Sequence, residues 1–184
     1  MSLFGLSKKV VLRNFQEEDR ETYLRWVSGD GRWKQMDAPW DRKPWSDEER
    51  RRAEVDFMGM LGPTRRFAVI VDRSDGAAVG WVACYPERSH PDACEVGINI
   101  CEDDRQGWGL GSEALTLWVN QMFESRFHRV AIKTYSFNGA MRRTAEKLGF
   151  KLEGVEREIQ FWDGEWLDRV IYGVLSSEWK PPQR

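Results

Sequence analysis

Gln106-Gly-Trp-Gly-Leu-Gly111 stands between an alternating pattern, residues 94–100, and an amphipathic helical pattern that begins near Ser112. A glycine-rich turn feeding a helix presents several main-chain N–H groups pointing one way, at the positive end of the helix dipole. That suits a phosphate or diphosphate, so the stretch reads as an anion cradle. A Walker loop requires Gly-Lys-Ser/Thr, but Gly111 is followed by Ser112-Glu113 with no lysine. A dinucleotide fingerprint requires a third glycine where Ser112 stands and an acid closing the next strand, and that strand, 130–135, ends in Lys-Thr-Tyr. What remains is Gln/Arg-x-x-Gly-x-Gly/Ala, fitted by Gln106, Gly109 and Gly111.

Immediately upstream, Cys94, Val96, Ile98 and Ile100 share one face of a strand, while Glu95, Gly97 and Asn99 share the other. Downstream, Leu115, Trp118, Val119 and Met122 form a helical stripe, and 130–135 follows as a strand. The resulting strand–loop–helix–strand unit predicts two parallel strands joined by a right-handed crossover.

Further out, Asn138 opens a helix that turns Met141, Ala145 and Leu148 inward, and Gly149 closes it. Residues 155–161 and 166–175 form a hairpin around Asp163-Gly164. On the amino-terminal side, 66–71 and 78–85 are strands separated by a turn at 72–76. Before them, a short apolar run at 10–12 leads to a helix bearing Tyr23, Leu24 and Val27 that Gly29 and Gly31 stop. A second helix is capped by Ser46-Asp-Glu-Glu49 and ends at Gly62-Pro63. Between these helices, 31–45 reads as an irregular loop of tryptophans and acids, and 180–184 as a frayed tail.

Composition narrows the function. The chain has 184 residues, 41% hydrophobic and 32% charged, which suits a single globular domain over 1–184. The net charge of −2 supplies no field to recruit nucleic acid or an anionic membrane. Three cysteines without Cys-x-x-Cys spacing and two isolated histidines imply neither a disulfide framework nor a metal site. The first residues carry too short an apolar run for a signal peptide, and no later run spans a bilayer, so a cytoplasmic protein is expected.

The loop, taken with Asn138 through Lys147-Leu-Gly-Phe150 at its spacing, resembles the GCN5-related N-acetyltransferase (GNAT) superfamily. Gly154-Val-Glu-Arg, Asp-Gly-Glu-Trp-Leu-Asp168 and Tyr172-Gly-Val-Leu resemble the branch that contains ribosomal-protein N-terminal acetyltransferases and spermidine acetyltransferases. The resemblance implies an α/β (α+β) fold with a mixed, mostly antiparallel seven-stranded sheet, a splayed parallel pair and about four helices. It implies acetyl-CoA as donor and no metal. The main chain of Ile98, Asn99 and Ile100 would pair with pantetheine, and the N–H groups from Gln106 through Gly107, Trp108, Gly109, Leu110 and Gly111 to Ser112 would hold the diphosphate. Asn138 would contact the pantetheine side, and Arg142 or Arg143 the ribose phosphate; the alternative is that both arginines are simply solvated.

The implied reaction is direct attack of an amine on the thioester, and the amine must first lose a proton. Glu95 is the candidate base, by its strand position and by resemblance to polyamine enzymes; the alternative is a glutamate at the solvent edge. An N–H at Ile98 or Asn99 is the candidate oxyanion donor. The family's tyrosine acid is replaced by Ala145, and the serine found in ribosomal-protein enzymes by Met141. Thiolate departure is then left to water, Tyr135 or Ser136, or else the chain is a non-catalytic acyl-CoA-binding or sensor module. The resemblance places acceptor contacts in 32–45, where Asp37 and Asp41 would attract a cationic amine and Trp33, Trp40 and Trp45 pack on it. These tryptophans equally suit a core or a subunit contact. A polyamine, another small amine and a protein N-terminus all remain open as acceptor, and relatives imply a homodimer or larger homo-oligomer.

Overall fold

Alternation in the sequence becomes a two-faced sheet in the computed structural model, which describes residues 3–62 and 64–181. Pro63 of the expected helix stop and residues 182–184 of the expected tail lie outside the described residues. Eight strands pair in the order β1-β2-β3-β4-β5-β6-β8-β7. They are β1 (Leu3–Leu6), β2 (Val10–Arg13), β3 (Phe67–Asp72), β4 (Ala78–Pro86), β5 (Ala93–Ile100), β6 (Arg129–Tyr135), β7 (Lys151–Trp162) and β8 (Glu165–Leu175). All neighbours are antiparallel except β5 and β6. The sheet has one strand more than the seven expected, because Leu3–Leu6 folds back on β2.

Among the described residues five α-helices cover it: α1 (Arg20–Ser28), α2 (Arg32–Asp37), α3 (Asp47–Met60), α4 (Leu110–Glu124) and α5 (Gly139–Lys147). Here α2 corrects the irregular reading of 31–45. Its first turn packs the Trp33 ring on Trp81, centroids 5.1 Å apart, so tertiary packing orders a segment too short to be stable alone. Ser46 caps α3 as expected, its Oγ accepting from the Glu49 amide at 3.2 Å.

Odd and even strand residues feed separate cores. Ala68, Ile70 and Val82 pack with Leu115, Trp118 and Met122 of α4 and Ala145 of α5. Val69, Val71 and Trp81 pack on the other face with Tyr23, Leu24 and Trp26 of α1 and Phe57 of α3. Trp118 is fully buried, and its indole N–H donates to the Ala83 carbonyl at 2.9 Å, satisfying its one polar atom and fixing α4 against β4. The Asp163-Gly164 turn has positive φ at both residues, 48° and 85°, which fits a tight two-residue hairpin.

Candidate functional site

The parallel pair does not stay paired. The β5–β6 ladder covers Ala93–Arg129, Cys94–Val130 and Glu95–Ala131 and stops there, whereas β5 continues along β4 to Ile100 and β6 along β8 to Tyr135. The Ala93 carbonyl accepts from the Glu87 amide and the Cys101 amide donates to the Val79 carbonyl, so odd residues of β5 serve the β4 ladder. Even residues therefore face the gap. Among the described residues, the Ile98 amide and carbonyl and the Ile100 amide have no β6 partner. Exposed strand backbone of this kind can accept an extended polar chain as a further strand. Asn99 departs from expectation: its carbonyl is directed at Gly80 of β4, so its main chain is unavailable to a pantetheine arm or an oxyanion.

The gap leads to the glycine loop. Gln106 Nε2 donates to the Ile100 carbonyl at 3.0 Å, fastening the loop to the strand end. Arg105 fastens its other side through Asp72 at 2.8 Å and Asp75 at 2.6 Å. Gly107 and Gly109 both have positive φ, 82° and 83°, a conformation glycine adopts without steric cost. The first intrahelical bond of α4 runs from Glu113 to the Gly109 carbonyl, so the Leu110, Gly111 and Ser112 amides have no partner within the helix. Leu110 turns its side chain into the core while Trp108 stays 63% exposed. The donors present fit a diphosphate.

The opposite wall is α5. Asn138 caps it, Oδ1 accepting from the Met141 amide at 3.0 Å, while Nδ2 donates to the Met36 carbonyl at 2.9 Å. Its amide thus ties α2 to α5 across the mouth, with one hydrogen left for a ligand. Arg142 is engaged below, bonding the Ser136 carbonyl at 3.1 Å and interacting with the buried Tyr172. Arg143 is exposed, its guanidinium folded over Gly139. Of the two arginines, Arg143 is therefore the one at the surface. Ala145 is fully buried and Met141 packs on the core, so neither supplies a hydroxyl to the gap.

On the other sheet face, Glu95 Oε2 lies 2.9 Å from Lys133 Nζ of β6. The hydrogen bond from Glu95 pushes the Lys133 ammonium pKa up. Tyr85 stands opposite Glu95 on β4, and a Cβ on Gly97 would contact its ring at 3.7 Å. Burial chiefly, then the charges of Asp37 and Glu95, push the Tyr85 phenol up. Trp40 packs edge-on against Tyr135 of β6, centroids 4.6 Å apart, with Trp162 beyond it at 6.2 Å.

Trp33 and Asp37 belong to a neighbouring cavity of about 280 Å³ under α1, α2 and α3, with Asp41 and Trp45 in its wall. Its five acids, Asp30, Asp37, Asp41, Glu49 and Asp56, exceed its four bases by one. Asp37 itself has no ion pair among the described residues, and although its side chain is exposed, surrounding protein and then the Asp41 charge push its pKa up. The structure thus brings Glu95, Asp37 and Trp40 to one face, but Trp33 closes the core against Trp81.

A sequence model of the acetyltransferase (GNAT) domain matches residues 9–151. The chain belongs to the GNAT acetyltransferase family. Its fold agrees: a Bacillus anthracis GNAT-family acetyltransferase superimposes with a TM-score of 0.76 at 21% identity, covering 94% of this chain and 98% of that one. RimL, a ribosomal L7/L12 alpha-N-protein acetyltransferase in complex with coenzyme A, gives 0.74 at 19% identity, covering 95% and 98%. The ribosomal protein uS5-alanine N-acetyltransferase of Escherichia coli (strain K12) is 31% identical over 90 residues. That alignment spans 48% of this GNAT chain and 46% of the relative's length.

Three residues beside the candidate site escaped sequence reading: Lys133, Tyr85 and Lys9, whose Nζ donates to the Trp108 carbonyl at 2.7 Å. Strand parity carried a signal for the first. Glu95 pairs with Ala131 in parallel register, so Lys133 and Tyr135 share its face. Nothing local in the sequence links Lys9 to a loop 99 residues away.

Proposed function

We propose that this chain is an acetyl-CoA-dependent N-acetyltransferase whose acceptor is a primary amine, either a small cationic amine or a protein N-terminus. The observation that carries it is the abrupt end of β5–β6 pairing beside a loop with three unpartnered helix amides. The Ile98 and Ile100 main chain would hold the pantetheine arm, and the amides of 106–112 the diphosphate. When bound, the donor supplies an acetyl thioester, an electrophile with a thiolate leaving group. Glu95 would take the amine's proton, its carboxylate positioned by Lys133 at 2.9 Å. Of the two candidate oxyanion donors, Ile98 and Asn99, the Ile98 amide faces the gap and is the one favoured. Asp37 and the Trp40–Tyr135 pair would receive the cationic acceptor from the other side of the sheet. Reaction in the cytoplasm, by a homodimer or larger homo-oligomer, belongs to the same proposal.

A second reading is supported by Ala145 and Met141, neither of which can protonate the leaving thiolate. A thiol of pKa about 8.5 is a fair leaving group, so turnover without such an acid is chemically reasonable. Calorimetry with acetyl-CoA and thiol release across a panel of amines and peptide N-termini separate the two. Binding with turnover on at least one amine supports the enzyme, binding with no turnover supports a sensor, and no binding removes both.

A further inference from the structure

The two strands that part at the site carry a single lysine between them, Lys133, and it stands where they separate. The last β5–β6 pair is Glu95–Ala131, and Lys133 follows two residues later on the same sheet face. Its side chain crosses to β5, Nζ reaching Glu95 Oε2 at 2.9 Å, and a second carboxylate, Glu87 just after β4, lies 3.8 Å from the same nitrogen. The side chain is 33% accessible, so the amine is open to a reactant arriving at the gap. Other lysines on this side are directed elsewhere: Lys34 gives its Nζ to the Val27 carbonyl of α1, and Lys43 pairs with Glu49.

A primary amine in contact with a carboxylate, at the head of a gap fitted to an acyl thioester, supplies both a nucleophile and a proton acceptor. We infer that Lys133 is a self-acetylation site, its Nζ taking the acetyl group of bound acetyl-CoA when no other amine occupies the site. This rests on the proposed binding of acetyl-CoA in the gap. The ammonium first loses one proton to solvent. The neutral Nζ then attacks the thioester carbonyl carbon, an N–C bond forms, the C–S bond breaks, and a second proton passes from nitrogen to Glu95 and on to the departing thiolate. Ammonium and acetyl-CoA thus give an amide, coenzyme A thiol and one proton. The product is neutral, so the ion pairs to Glu95 and Glu87 are lost with it.

Surrounding charges keep this reaction slow. The Glu95 hydrogen bond chiefly, with the charges of Glu95 and Glu87, holds the ammonium above its ordinary pKa, against burial and the Arg169 charge on β8. Arg169 is in turn bound to Glu156 of β7, and Tyr85 of β4 stands opposite Glu95. Little free amine exists at neutral pH, and each pH unit below the lysine pKa multiplies it about tenfold.

The test compares two acyl donors on the whole protein by intact mass and peptide mapping, with the exposed Lys147 and Lys180 as internal references. With acetic anhydride, which needs no binding site, Lys133 is expected to react more slowly than either reference, because its ammonium is held by Glu95. With acetyl-CoA and no acceptor the ranking should invert, Lys133 gaining one acetyl group at least about tenfold faster than the references. That excess should rise with pH from 7 to 9 and disappear when coenzyme A is added as competitor. No acetyl group on Lys133, in protein that calorimetry shows to bind acetyl-CoA, overturns the inference and leaves the proposed function intact. Modification of Lys133 no faster than the references, or unaffected by coenzyme A, is incidental acylation and overturns it as well. Failure to bind acetyl-CoA removes this inference and the proposed function together.

Discussion

Glu95 Oε2 and Lys133 Nζ stand 2.9 Å apart, one on each of the two strands, where their main-chain pairing ends. The pair has two consequences of different size. As a partly exposed ion pair, with side chains 28% and 33% accessible, it contributes about 1 kcal/mol or less to stability. The lysine pKa is raised by the pairing, so that contribution is complete below the ordinary value of 10.5 and is lost as pH rises through the raised one. As the proposed proton acceptor, Glu95 would matter far more. Glu95→Gln is expected to lower acceptor-saturated turnover by about a hundredfold with little change in unfolding temperature. Unchanged turnover and pH profile would remove Glu95 from the chemistry and leave it a strand-pinning residue.

Asp37 makes a prediction of the opposite sign. Crowding and then Asp41 raise its pKa above 3.8, so its contribution to stability is greatest below that value and declines as pH rises through the folded one. At neutral pH the carboxylate is a charge awaiting a counter-ion, screened in part because it is exposed. Asp37→Asn should unfold no earlier than the parent at pH 7, with any gain vanishing in acid. The Michaelis constant for a cationic acceptor should rise about tenfold, the cost of one screened charge contact. An unchanged constant for every cationic amine would take Asp37 out of the acceptor pocket.

Much of this architecture was legible because period and position agreed. The alternation of Cys94 to Ile100, the loop at 106–111 and the stripe from Leu115 to Met122 each specify one local structure, and together they specify the crossover. What was not legible depends on distant partners. Whether Ile98 or Asn99 faces the gap is set by which residues β4 claims, and Gly80 and Asn99 are 19 positions apart in sequence. The helix at Arg32–Asp37 exists because Trp33 has Trp81 to pack on and Met36 has Asn138 to bind. Leu3–Leu6 is too short to announce a strand without β2 beside it.

The two glycines of the loop pattern are expected to respond differently to alanine. Gly109 has φ +83°, where a side chain costs roughly 1–2 kcal/mol, and its Cβ would approach the Lys9 ammonium at 3.4 Å. Gly111 sits within the first turn of α4, and its Cβ would meet Ile100 at 3.6 Å and Ile98 at 3.9 Å, ordinary packing distances. Gly111→Ala should therefore be neutral or stabilising by up to about 1 kcal/mol. Gly109→Ala should destabilise and weaken coenzyme A binding, with Gly109→Asn recovering part of the stability because asparagine tolerates the left-handed region. Denaturant unfolding and calorimetry of the three variants check this, and a larger loss at Gly111 than at Gly109 would contradict it.

Gly80 is a position on β4 where a side chain would strike the main chain of β5. A Cβ there would stand 1.9 Å from the Asn99 carbonyl oxygen and 2.9 Å from its carbon, both main-chain atoms that cannot rotate away. Gly80→Ala must therefore push β5 off β4 at the Gly80–Ile100 and Trp81–Asn99 pairs, the stretch whose other edge faces the gap. The cost is expected to be about 3 kcal/mol, the upper range for overpacking, because the clash is with backbone. Surviving folded protein should bind coenzyme A less tightly, since Ile98 and Ile100 are displaced with their strand. Gly97→Ala is the control: its Cβ would meet only the Tyr85 ring at 3.7 Å, so stability should stay within about 1 kcal/mol of the parent. Equal stability of the Gly80 and Gly97 variants would mean that β4 and β5 are not held in this register.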